Sequence, residues 1–197
     1  MNARGLLNGL LALILFIAGI AGRADAMYLR LDEGKKSEAL NYGVRNVNTD
    51  LRAFYKEWTS DQGAQGAAIL NTEFITLAQA ARDAAESGNE MDSFTIEDAL
   101  ARSQGKMVFS VTLYGKGADF AKDYEAVIKV GGKIIRASFW DQNDPAPSES
   151  QPSLYVQDLF YYFPIGDISP GSQIILSVGK YQSKERLDFK FDLSKMR

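Results

Sequence analysis

Between residues 40 and 58 the apolar positions Leu40, Val44, Val47, Leu51, Phe54 and Trp58 recur at spacings of four and three. That spacing lays one stripe along one face and predicts a helix of about five turns, with Ser37 as its N-cap. Asn46, Asn48 and Gly43 lower its intrinsic propensity, so packing must hold it, against the rest of the chain or against another chain. The Gly-containing stretch from Asp61 to Gly66 ends it. A second helix is expected from about Thr72 to Glu86, capped by Asn71 or Thr72 and stopped at Gly88. Its inner face is Phe74, Leu77, Ala78, Ala81 and Ala85, and that small-residue surface permits close approach of a neighbour. A short third helix starts near Thr95 and ends at Gly105.

From Met107 onward the period changes. Met107–Tyr114, Tyr124–Val130, Lys133–Phe139, Leu154–Phe163, Gln173–Val178 and Arg186–Leu193 are β-branched and aromatic runs separated by turn residues. Gly131-Gly132 between two of them predicts a two-residue hairpin turn with positive φ. Phe189, Phe191 and Leu193 alternate with Lys190 and Asp192, so one face is buried and the other wet. Asp141–Ser153 is polar and proline-rich and is expected to be an exposed, mobile loop. Six strands in about ninety residues suit a small antiparallel sandwich. The expected class is therefore α+β, with an N-terminal helical segment (27–105) packed on a C-terminal antiparallel β-sandwich (106–197). The strand, Pro170-Gly171 turn and following strand resemble immunoglobulin and fibronectin type III sandwiches. The resemblance implies a fold only, with no function attached.

Residues 1–26 read differently. Arg4 precedes an apolar run from Leu10 to Ala21, and Ala24-Asp25-Ala26 supplies small residues at −3 and −1 of a cleavage site. These are the parts of a secretory signal peptide. The run is shorter than the ~20 residues of a spanning helix, so cleavage after Ala26 and a periplasmic or extracellular location are expected. Membrane attachment would require that segment to stay uncleaved. The remaining chain has 20 basic and 24 acidic side chains. Acidity of that order disfavours electrostatic binding to nucleic acid.

Composition then removes chemistry. The 197 residues contain no Cys and no His. That excludes disulfides, thiolate metal sites, cysteine nucleophiles, His-ligated metals and Ser-His-Asp catalysis. No cofactor, metal site or catalytic residue is assigned. Ser-x-x-Lys occurs at Ser103–Lys106 and Ser177–Lys180, a pattern in which Lys could activate Ser. Fifteen Ser and twelve Lys give about one such match by chance. Glu97, Asp98, Asp119, Asp123 and Glu125 are available for carboxylate chemistry of the glycosidase kind. Asp141, Asn143 and Asp144 offer oxygen ligands without an EF-hand pattern. Gly115–Asp119 lacks the Gly-Lys-Ser/Thr ending of a phosphate loop and reads as a turn.

The aromatic run Leu159–Phe163 resists a bland reading. Alternation puts Leu159, Tyr161 and Phe163 on one face and Phe160 and Tyr162 on the other. Either both faces are covered, or one is an aromatic platform rimmed by Trp140, Tyr155, Asp141, Asn143 and Asp144. The expected function is a non-catalytic envelope protein that binds a protein partner or a cell-surface polymer through its sandwich. The alternative is a carboxylate-based hydrolase of an envelope polysaccharide.

Overall fold

The computed structural model describes residues 30–166 and 168–197. The expected signal segment lies outside the described residues. The first helix, α1 (Glu33–Arg45), starts earlier than Ser37, because the Asp32 carboxylate accepts the Lys35 N–H and caps it. It also stops early. The Asn46 side chain donates to the Tyr42 carbonyl, and Asp50 caps a new one-turn helix, α2 (Leu51–Phe54). Polar side chains thus compete with the ladder and divide the predicted five-turn helix. Its stripe divides too: Phe54 and Trp58 are buried, while Val44 is 52% and Leu51 55% exposed.

Residues 59–71, expected only to break a helix, form β1 (Thr59–Asp61) and β2 (Gly66–Asn71). Next come α3 (Glu73–Glu86), capped by Thr72, and α4 (Ser93–Ala101), capped by Asp92. The close approach expected of α3 occurs at α1. A Cβ on Gly43 would lie 2.1 Å from the Ala78 carbonyl oxygen and 2.9 Å from the Ala81 Cβ.

Eight further strands follow: β3 (Lys106–Gly115), β4 (Tyr124–Val130), β5 (Lys133–Arg136), β6 (Phe139–Gln142), β7 (Ala146–Pro147), β8 (Tyr155–Pro164), β9 (Gln173–Lys180) and β10 (Leu187–Asp192). They form two antiparallel sheets. One runs β1-β2-β3-β8-β6, with β7 also on β8, and the other runs β10-β9-β4-β5. The chain is therefore α+β, with N-terminal helices and a two-sheet sandwich. The β4–β5 turn uses Gly131 (φ 53°) and Gly132 (φ 79°), as the pattern predicted.

Lys133–Phe139 is not one strand. Ala137 N–H still donates to Ala126 of β4, but Ser138 N–H donates to Tyr162 of β8. The chain changes sheets between these two residues. The 141–153 segment is also tied down. Asn143 N–H donates to Asp158 O, Ser148 N–H to Leu154 O, and the Gln151 amide to Ala64 O.

Phe109, Val111, Leu113, Leu159, Tyr161 and Phe163 point from the first sheet into the sandwich. Ile128, Ile174, Leu176, Val178, Phe189 and Phe191 meet them from the second. The helical end joins the same core through Phe54, Trp58, Phe74 and Leu77. Arg197 ties the two ends together. Its guanidinium lies 4.6 Å from the Tyr42 ring centroid and pairs with Glu57, and its carbonyl accepts from the Trp58 indole at 3.3 Å. One flank of the sandwich is closed, since Ser60 Oγ accepts the Lys190 N–H and the Gln62 amide donates to Asp188 O.

Candidate functional site

The β3–β8 register puts Val108 beside Tyr162 and Ser110 beside Phe160. The β2–β3 register extends the row to Asn71 and Ile69. These side chains share the outer face of the first sheet, away from the sandwich interior. Phe160 and Tyr162 are half-buried there. On the edge strand, Phe139 is Tyr162's register partner, and its ring lies 5.3 Å away at 50°.

Helices α3 and α4 cover this face only in part, burying Val108 while Phe160 and Tyr162 stay half-exposed. They stand beside it and leave a cleft of about 460 Å3. Phe160, Tyr162 and Val108 line one wall, and Asn71 and Ser110 lie alongside them. Gln79 and Asp83 of α3 and Asp98 and Arg102 of α4 line the other. The helical period puts each of these pairs on one helix side, because members four residues apart are neighbours.

Hydrogen bonds order the cleft. Tyr55 donates to Gln79 Oε1 at 2.8 Å, and the Gln79 amide donates to Asp83. Asn71 Nδ2 donates to Ser110 Oγ at 2.8 Å. Arg102 pairs with Asp98 at 2.7 Å, an exposed pair that adds little stability. Burial, with the nearby Asp83 carboxylate, pushes the Tyr55 phenol up to about 12. Tyr55 therefore stays a neutral donor to Gln79 across the ordinary pH range.

The sequence-predicted site residues do not form one surface. Phe160, Tyr162 and Asp141 share the outer face, since Asp141 is opposite Phe160. Trp140 is opposite Tyr161 and takes the other face, as does Tyr155, which has the parity of Leu159. Trp140 is 47% exposed because β6 is an edge strand. One-residue steps along a strand reverse side-chain direction, so neighbours in sequence became members of opposite faces. Asn143 is engaged through its backbone. Its N–H donates to Asp158 O and its carbonyl accepts from the Gln157 amide. Asp144 is exposed on the same connection.

Sequence reasoning missed Asn71, Ser110, Gln79, Asp83, Arg102 and Tyr55. Two signals could have found some of them. Polar Ser110 interrupts the apolar strand Met107–Leu113, and the polar pairs Gln79/Asp83 and Asp98/Arg102 repeat at helical spacing.

The catalytic motifs take structural places. Ser177 is fully buried, and its Oγ accepts from Arg186 Nε at 3.2 Å. Ser103 is buried at the end of α4 and donates to the Leu100 carbonyl. Glu125 pairs with Arg136 and Arg186. Arg186 also donates to the carbonyls of Glu125, Ser177 and Lys180, so it clamps β4 and β9. Asp98 alone of the five candidate carboxylates lines the cleft. Among the described residues, no group of three or more Asp or Glu side chains is placed to hold a metal ion. Nor, among them, is any helix long and apolar enough to cross a membrane.

These features define a β-sandwich protein with a helical N-terminal layer and a lateral aromatic cleft. No protein-family model matches the chain, and no curated protein matches it. Among solved structures, it is similar to a protein of unknown function from Burkholderia pseudomallei K96243. The identity is 13% and the TM-score 0.46, over 80% of this chain and 90% of that one. It is also similar to the C1 domain of an IgNAR antibody, at 13% identity and TM-score 0.31, over 46% of this chain and 79% of that domain.

Proposed function

We propose that the chain is an exported, non-catalytic envelope protein that binds a protein partner or a cell-surface polymer through the outer face of its sandwich. One observation carries this reading. Phe160 and Tyr162 line an open cleft instead of being sealed under the helices. Half-buried aromatics beside a few ordered polar groups are the composition of a ligand cleft, and about 460 Å3 falls within the usual range. Export rests on residues 1–26, whose n-region, apolar run and Ala-Asp-Ala ending support cleavage after Ala26.

A glycan array and an affinity pull-down test the reading. Binding in one of them, lost in Phe160→Ala and Tyr162→Ala with unchanged circular dichroism, is the expected outcome. Two empty experiments overturn it.

A second reading, a carboxylate hydrolase acting on an envelope polysaccharide, draws support from Asp83 and Asp98 in the same cleft. It requires release of reducing ends from such a polymer, abolished by Asp83→Asn or Asp98→Asn. Intact polymer after prolonged incubation removes it.

A further inference from the structure

The hydrogen-bonding polarity of the cleft narrows its ligand. Beside the hydroxyls of Thr76, Thr95, Ser103, Ser110 and Tyr162, its lining carries acceptor groups with an unused oxygen. Asp83 accepts from the Gln79 amide through Oδ1, and Asp98 accepts from Arg102 through Oδ2. Among the described residues, the second oxygen of each carboxylate has no hydrogen-bond partner. Asn71 spends its amide on Ser110, which leaves its carbonyl oxygen open. The Tyr55 hydroxyl is committed to Gln79. Among the described residues lining the cleft, Arg102 is the one cation, and it pairs with Asp98 through Nη2. Lys106 does not line the cleft, but its ammonium stands over the Tyr162 ring, 5.9 Å from the centroid.

An anionic ligand would therefore meet two carboxylates, a guanidinium paired with one of them, and the Lys106 ammonium only at the Tyr162 end. A hydroxyl-rich neutral ligand would donate hydrogen bonds to Asp83, Asp98 and Asn71. The opposite wall is apolar and aromatic, so the ligand also needs an apolar face. A pyranose ring has both, with C–H bonds on its faces and hydroxyls around its edge. The outer face continues past the cleft along β8 to Asp158, two residues before Phe160. Asp158 accepts from Thr112 Oγ1 at 2.6 Å.

Resting on the reading of the cleft as a binding site, we propose that it takes a neutral pyranose unit of a polysaccharide. The ring packs on Tyr162 and Phe160 and donates its hydroxyls to Asp83, Asp98 and Asn71. Calorimetric titration of the full chain with cellohexaose, mannohexaose, N-acetylchitohexaose and hexagalacturonate tests this. At least one neutral hexamer binds, and the galacturonate binds about tenfold more weakly or not at all. Asp83→Asn weakens the neutral ligand about tenfold, as expected for one lost hydrogen bond to a charged group. It also narrows the gap to the galacturonate.

Galacturonate binding as tight as that of the best neutral hexamer overturns the proposal. So does silence from all four sugars. If the sugars are silent but a protein partner is captured, and Tyr162→Ala abolishes capture, the sugar assignment falls and the binding cleft stands. If Phe160→Ala and Tyr162→Ala leave all binding unchanged, both fall.

Discussion

The two faces of β8 have nearly the same composition and opposite fates. Leu159, Tyr161 and Phe163 point into the sandwich and are fully buried, and the Tyr161 hydroxyl donates to Tyr124 O on the facing sheet. Phe160 and Tyr162, one step away, face a cleft and stay half-exposed. The difference lies in what each face meets. The second sheet covers the inner face at Leu159, Tyr161 and Phe163. The helices, by contrast, pack first on each other through Gly43 and Ala78 and stand beside the outer face. An aromatic side chain therefore signals burial only when a partner layer is placed over it.

Substitutions can break this comparison, beginning on the inner face. Phe163→Ala and Tyr161→Ala are expected to cost about 3–5 kcal/mol each in denaturant unfolding, as large cavities in a sealed core do. A loss below about 1 kcal/mol would mean that the inner face is no better covered than the outer one. Gly43→Ala comes next. The new Cβ would strike the Ala78 carbonyl, so α1 must move off α3. The expected loss is about 1–3 kcal/mol, more than the alanine gains in helix propensity. Thr72→Ala removes the hydroxyl that accepts the Ile75 N–H and caps the wall of the cleft. It should cost about 1 kcal/mol.

Smaller effects sharpen the outer face. Phe160→Ala and Tyr162→Ala should lower stability by no more than about 1 kcal/mol while abolishing ligand capture. The reverse pattern would make them core residues. The Tyr55 phenol supplies a pH test. Its pKa is raised from 10.0 to about 12, so the folded state holds that proton more tightly than the unfolded one. Stability from this group is intact below pH 10 and falls as pH rises from 10 to 12. Phenolate absorbance should show a step near 12 that is absent in Tyr55→Phe. Burial and the nearby Glu125 raise Tyr161 further, so it should titrate only with unfolding.

Much of the sandwich was legible in the chain. Gly131-Gly132, the alternation of Phe189, Phe191 and Leu193, and the Thr72 cap are local signals, and each appears where its pattern put it. Local signals failed where two local preferences competed. Asn46 and Asp50 divided a helix that the apolar stripe favoured, because their side chains offer the backbone other hydrogen bonds. β1 and β2 went unnoticed because Ala67, Ala68 and the flanking Gly66 are weak strand formers. Pairing of β2 onto β3, and of β1 onto β2, makes them strands.

The candidate site divides the same way. The sequence by itself determined that Phe160 and Tyr162 share a face, since strand period is local geometry. It also excluded histidine and cysteine chemistry outright. Only the tertiary structure decided that Trp140 lies on the other face, because register comes from which strands meet. It alone brought Gln79, Asp83 and Asp98 to that aromatic wall. Those residues reach the cleft through contacts between elements far apart in the chain, and no local pattern carries information about such contacts.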